Sequence, residues 1–263
     1  MGWCCITNLK YRLDKTVKVK AIKKKLLQLI NKKGYLLFQE KIFHQLYRLK
    51  GEFNPLEQLF YQRLHPNFFF VQIGANDGIS SDPIYNLVTK EGVHGIALEP
   101  VSNIFKQLTK NYAAYPNVHP VNKAIHKTEK EMLLYRVNPD KKQYPEWTKG
   151  TASFNKRHHQ LSEINDTDII EEKVQCISYD ELIKEYKISH IDLLQIDTEG
   201  YDYDIIKMID FDKLAPSIIS FEHGITSGIM NKEKLFEIQE LLFRNKYNII
   251  IMENDAIAYK AKY

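Results

Sequence analysis

Three apolar runs in this sequence end on acids. Gly95–Leu98 ends on Glu99, Ile191–Ile196 on Asp197, and Ser217–Phe221 on Glu222, with His223 next. If each run is a strand, the acids stand at carboxyl ends, where an open α/β sheet binds its ligands. Asp197, Glu222 and His223 then make a candidate acid/base cluster, with Asp197 also suited to hold a metal. Plainer roles exist for the two acids. Asp197 or Thr198 would also cap a helix over 201–209, and Glu222 would also serve as a loop ion-pair partner.

A fourth feature precedes them. Val71-Gln72-Ile73-Gly74-Ala75-Asn76-Asp77-Gly78 runs from a strand straight into a glycine-flanked turn. Glycine lets the backbone approach a ligand closely. The spacing is GxxxG, neither the GxGxxG of dinucleotide sites nor the GK[ST] of triphosphate sites. A loop built for pyrophosphate is thereby disfavoured, and one for the amino-acid end of a nucleoside ligand stays open, as does a plain tight turn. Glu99 follows Gly78 by 21 residues, about where a Rossmann fold sets a carboxylate on both ribose hydroxyls. Its bland role is to cap a helix over 101–112, with Pro100 as the helix-starting residue.

These residues need a sheet to hold them, and from Phe68 onward β-rich runs alternate with helical patterns. The reading is an α/β, Rossmann-like, mostly parallel doubly wound sheet with helices on both faces. Strands are expected at 68–73, 95–99, 118–125, 191–197, 217–223 and 247–253. Helices are expected at 82–91, 101–112, 179–186, 201–209 and 232–245. Between Met132 and Ser178 the alternation breaks, which predicts one or two extra strands around an insertion, 144–170. Its Tyr144, Trp147, Phe154, His158 and His159 suit a carbohydrate's apolar face and hydroxyls, or simply a loop core.

Ahead of that domain, 66–263, stands a basic helical N-terminal extension, 1–65. Residues 15–50 read as two amphipathic helices, with Val19, Ile22, Leu26, Leu29 and Ile30 on one face of the first and Phe43, Leu46 and Tyr47 marking the second. A short helix follows around 56–64. Residues 1–50 hold 13 lysines and arginines against Asp14 and Glu40, a net +11, whereas the whole chain carries +4 and the remainder therefore −7. A basic head on an acidic body predicts an anionic partner, either a membrane surface or an acidic protein. Packing on its own domain or on a second subunit, giving a homo-oligomer, is the alternative. Nucleic acid is disfavoured because the body is acidic.

No apolar run approaches the roughly 20 residues of a membrane span, and lysines and arginines interrupt the N-terminus from Lys10 onward. Three cysteines, of which Cys4 and Cys5 are adjacent and Cys176 stands alone, fit a reducing compartment. The expected location is cytoplasmic, with peripheral contact at the inner face of the membrane if the head binds there.

Taken together, the motifs resemble the FkbM-type methyltransferases, a branch of the class I enzymes that use S-adenosylmethionine (SAM). The likeness rests on VQIGANDG (71–78), GIALEP (95–100), NKAI (122–125), GTASF (150–154), SYDELI (178–183), IDLLQIDTEGYDYDIIKMI (191–209) and FEHG (221–224), in that order. It implies SAM as methyl donor and an oxygen, usually of a sugar or polyketide-like molecule, as acceptor. By motif position, Gly74, Ala75, Asn76, Asp77 and Gly78 belong to the loop at the methionine end. Glu99 and Pro100 would stand at the ribose, Asn122, Lys123 and Ala124 near the adenine, and Ser153 would close the pocket. Related O-methyltransferases hold Mg²⁺ with acids where Asp197 and Glu222 stand, but the second site here reads Glu-His, which counts against a metal. The turn after Asp197 reads Asp-Thr-Glu-Gly, not the Asn/Asp-Pro-Pro-aromatic of methyltransferases acting on adenine or cytosine amino groups. The competing functions are a SAM- or glycan-binding module without catalysis, a methyltransferase for a non-sugar small molecule, and an oxidoreductase, disfavoured by the missing GxGxxG.

Overall fold

The computed structural model describes residues 54–261. The two expected N-terminal helices, the basic head and Cys4 and Cys5 lie outside them. The first helix, α1 (Pro55–Arg63), begins where the Asn54 side chain accepts the backbone N–H groups of Leu56 and Glu57, with Pro55 in the first turn. Its Leu56, Leu59 and Phe60 are buried with Phe68 and Phe70. This helix is thus part of the domain core and not only of an extension.

In chain order there follow β1 (Phe69–Ile73), α2 (Tyr85–Glu91), β2 (His94–Leu98), α3 (Ser102–Asn111), β3 (Val118–Val121), β4 (Ala124–Ile125), β5 (Glu131–Val137), β6 (Ala152–Ser153) and β7 (Ile169–Ile177). Then come α4 (Tyr179–Glu185), β8 (Leu193–Ile196), α5 (Asp202–Met208), β9 (Ile218–Glu222), α6 (Lys232–Arg244), β10 (Tyr247–Ile251) and β11 (Asp255–Lys260). The main sheet has the order β10-β11-β9-β8-β1-β2-β3. Every pairing in it is parallel except those of β11, which runs antiparallel to both neighbours. Central β8 is buried at all four positions, as a strand covered on both faces must be. Helices α4, α5 and α6 cover one face through Leu182, Ile205, Ile206 and Ile238. The other face carries α1 and α2, together with Leu108 of α3. Capping fixes where helices start: Ser178 and Glu181 form a reciprocal capping box on α4.

Three expectations need correction. The run 118–125 is not one strand: Pro120 brings no N–H to the ladder, and after Val121 the Asn122 amide bonds the carbonyls of Glu99 and Pro100. The chain there leaves the main sheet, and Ala124–Ile125 pairs with β7 instead. The interruption holds three strands, β5, β6 and β7, which with β4 form a second sheet ordered β4-β7-β5-β6. Finally β11, an alanine-containing run after Asn254, was not foreseen, yet it completes the main sheet. Among the described residues no helix is long and apolar enough to cross a membrane.

Candidate functional site

At the carboxyl edge of the main sheet, the turn after β1, the ends of β2 and β8 and the β6 segment enclose a cavity of about 240 Å³. Its floor is made by a close approach. Gly74 has φ +83, and a Cβ there would lie 1.7 Å from the carbonyl oxygen of Asp197. Only glycine fits between the two strand ends. The N–H groups of Gly74 and Ala75 both donate to the Leu98 carbonyl, at 3.0 and 2.8 Å, and pin the turn to β2.

Glu99 is buried at the end of β2. One carboxylate oxygen accepts the N–H of Asn76 at 3.0 Å and the other that of Val101 at 2.8 Å. The expected capping role at α3 is not seen: Val101 is the residue before the first helical turn, α3 has no side-chain N-cap, and Glu99 instead braces the turn between β2 and α3 from the cavity wall. Burial pushes its pKa up to about 7 against those bonds. A carboxylate oxygen has more than one lone pair, so each can still take a hydroxyl.

Across the cavity Asp197 opens to water inside the pocket, yet protein encloses it. The enclosing walls, then Glu199, Asp202, Asp255 and Asp82, hold its pKa well above the ordinary aspartate value. The turn behind it is tied by Asp202, which accepts the N–H and hydroxyl of Thr198 at 3.1 and 2.6 Å and the N–H of Glu222 at 3.1 Å. Asp202, not Asp197, thus organises the start of α5. Burial raises Asp202 to about 6. Glu222 is pushed up to about 9 by burial and next by Asp197.

The roof comes from the second sheet. Gly150 lets it close down, since a Cβ there would meet the Asn76 amide at 2.5 Å. The Ser153 hydroxyl donates to the Glu199 carbonyl at 2.7 Å, and His158 Nε2 lies 2.9 Å from a Glu199 carboxylate oxygen. Trp147, Phe154 and Tyr201 add aromatic faces to the wall. A glycine floor, a carboxylate beside β2 and a fastened roof fit a nucleoside with an amino-acid tail. Among the described residues no group of three or more His, Cys, Asp or Glu is placed to hold a metal ion.

A family model described as the methyltransferase FkbM domain matches residues 72–249. The chain belongs to the FkbM methyltransferase family. None of the curated proteins compared matches it. Solved structures similar to it include a METTL16 methyltransferase domain (14% identity, 80% of this chain and 67% of that one, TM-score 0.43). Precorrin-6y C5,15-methyltransferase from Geobacter metallireducens is 13% identical over 78% of this chain and 87% of that one, with TM-score 0.41. A TehB-like SAM-dependent methyltransferase from Corynebacterium glutamicum is 9% identical over 84% and 95%, with TM-score 0.40. These likenesses are weak, and the family assignment rests on the domain match.

Within this FkbM domain the cavity wall includes Gly74, Ala75, Asn76, Glu99, Pro100, Lys123, Ala124 and Asp197 from the expected set. The others stand outside the wall. Asp77 folds back on its own turn, accepting from the N–H groups of Ile79 and Ser80. Gly78 packs on Leu108 and Tyr112. Asn122 and Ser153 spend their side chains on the backbone bonds given above. Glu222 sits one strand beyond Asp197. His223 is buried, accepts the Ile225 N–H at Nδ1 and reaches the Met252 carbonyl with Nε2. Burial lowers its pKa, so it is a neutral, bonded ring and a poor base. Sequence reading passed over Gln72, Asp82, Gln195, Glu199 and Tyr201, all in the wall. The polar Gln72 and Gln195 inside two apolar runs were the available signal.

Proposed function

We propose that this protein transfers the methyl group of SAM to a hydroxyl of a sugar or glycan, with Asp197 as the base. The observation that carries the reading is Asp197, an exposed acid in the cavity wall at the end of β8, whose backbone carbonyl abuts the Gly74 turn. When bound, SAM supplies an activated methyl group on a sulfonium. Glu99 would take the ribose hydroxyls, and the Gly74–Asn76 turn with the Gly150 roof would hold the tail in line. Such alignment is worth about 7–11 kcal/mol of barrier. An alcohol attacks well only as its proton leaves, and a positioned base adds on the order of 10²–10⁴-fold. Asp197, its pKa raised by burial, is placed to accept that proton. Trp147, Phe154 and Tyr201 favour a ring-shaped acceptor with apolar and hydroxylated faces. The test is incubation with methyl-labelled SAM and a panel of nucleotide sugars and oligosaccharides. Label in an alkali-stable ether on a sugar oxygen supports the reading. Label on nitrogen, or in an alkali-labile ester, overturns it.

A further inference from the structure

Two polar rows cross the same face of the main sheet. Gln72 of β1, Gln195 of β8 and Ser220 of β9 are register partners, one beside the next, and they are 2%, 5% and 5% exposed. The Gln72 amide nitrogen donates to Asp82 at 2.8 Å, which fixes its orientation and leaves Oε1 without a partner. Oε1 of Gln195 is likewise buried and unpartnered. Both glutamines line the cavity.

The next row toward the carboxyl edge is acidic. Ile196 pairs with Phe221, so Asp197 and Glu222 share the following rung, and Glu222 pairs with Asp255 across β9 and β11. The row runs from the cavity, where Asp197 sits, to the surface, where Asp255 is exposed. Among the described residues none of these three acids has an ion pair, and Oε2 of Glu222 is buried without a partner. Lys123, the cation of the cavity wall, is held by Glu185 at 3.0 Å. Buried amide oxygens and a buried carboxyl oxygen, that of Glu222, with nothing donating to them cost stability unless a ligand supplies the donors.

Resting on the methyltransferase reading above, we infer that the acidic row, where it leaves the cavity at Asp197 toward Glu222 and Asp255, binds a protonated amino group of the acceptor beside the unpartnered glutamine oxygens, which makes the acceptor an amino sugar. An ammonium group offers three donors and one positive charge to a surface made of acceptors. Carboxyls with raised pKa values, as Asp197, Glu222 and Asp255 have, are what such a surface shows without its cation. The methionine ammonium of SAM is a poorer match, because its own carboxylate would be carried against a row of acids. A sugar ring is favoured by Trp147, which is 61% exposed and part of the cavity wall.

The experiment uses the full chain loaded with S-adenosylhomocysteine. Ligand-observed NMR titrations compare glucosamine, N-acetylglucosamine and glucose. Glucosamine should bind about tenfold tighter than either neutral sugar, the effect of one charge-assisted bond. Glu222→Gln and Asp255→Asn should each reduce that preference several-fold while S-adenosylhomocysteine affinity stays within about twofold. Equal binding of the three sugars, binding of none, or a preference untouched by both variants overturns the inference. So does a drop in S-adenosylhomocysteine affinity in the variants that its desamino analogue does not show, since the rows would then serve the donor. Failure of the wild type to bind S-adenosylhomocysteine at all is a different result and sinks the methyltransferase reading itself.

Discussion

Glu99 and Glu222 are glutamates at the carboxyl ends of parallel strands in one sheet, yet their surroundings differ in kind. Each oxygen of Glu99 accepts a backbone N–H. Glu222 has a buried oxygen with no partner and stands between Asp197 and Asp255. Both are buried enough to raise their pKa, to about 7 and about 9. The smaller shift belongs to the carboxyl whose anion the backbone already stabilises. The β2 side of the cavity is therefore organised by the fold, whereas the rung that leads outward from Asp197 keeps unspent hydrogen-bonding capacity. Under the proposed function, the first region is the cradle for SAM and the second is where an acceptor would be discriminated.

Substitution of Asp197 should cost the most. Asp197→Asn keeps the shape of the floor and should leave SAM affinity within a few-fold, while turnover falls on the order of 10²-fold or more. Steady-state kinetics beside calorimetric titration checks it. Full turnover in the variant would move the base elsewhere, with Glu222 the next candidate.

On the donor side the loss should appear in binding. Glu99→Ala removes the carboxylate expected at the ribose and should weaken SAM by about tenfold or more, since a charge-assisted bond is worth roughly 1.5–3 kcal/mol. The variant also frees the N–H groups of Asn76 and Val101. Circular dichroism must therefore show a folded protein before the affinity is read. An unchanged dissociation constant would separate Glu99 from the cofactor.

A smaller effect sharpens the contrast through pH. The folded pKa of Glu222, about 9, lies above its ordinary value of 4.5. The folded state thus binds more protons than the unfolded one across that window, and stability falls as pH rises through it. The melting temperature of ligand-free wild type should drop between mildly acidic and mildly alkaline buffer, and Glu222→Gln should flatten that slope. Parallel slopes in the two proteins would mean that Glu222 is not the titrating group.

The alternation of short apolar runs with helical patterns was legible in the sequence, because strands buried on both faces leave continuous Val, Ile, Leu and Phe runs. The glycine turn, Glu99 and Asp197 were legible for the same reason: each closes such a run. What stayed hidden depends on contacts between distant segments. Nothing local in Val118–Ile125 tells that Asn122 reaches back to the carbonyls of Glu99 and Pro100 and sends Ala124 to another sheet. His223 looked like a base beside Glu222, and only the bonds to Ile225 and Met252 show it to be a settled core ring. Gln72 and Gln195 stand singly inside apolar runs, and only register makes them neighbours.

Calorimetric titration of S-adenosylhomocysteine into the purified chain probes the proposed SAM cradle at the carboxyl ends of β1, β2 and β8. Binding should saturate at one molecule per chain, be displaced by SAM and be lost in Gly74→Val, whose side chain would enter the Asp197 carbonyl. Heat that does not saturate, or binding that survives in folded Gly74→Val, would contradict that cradle.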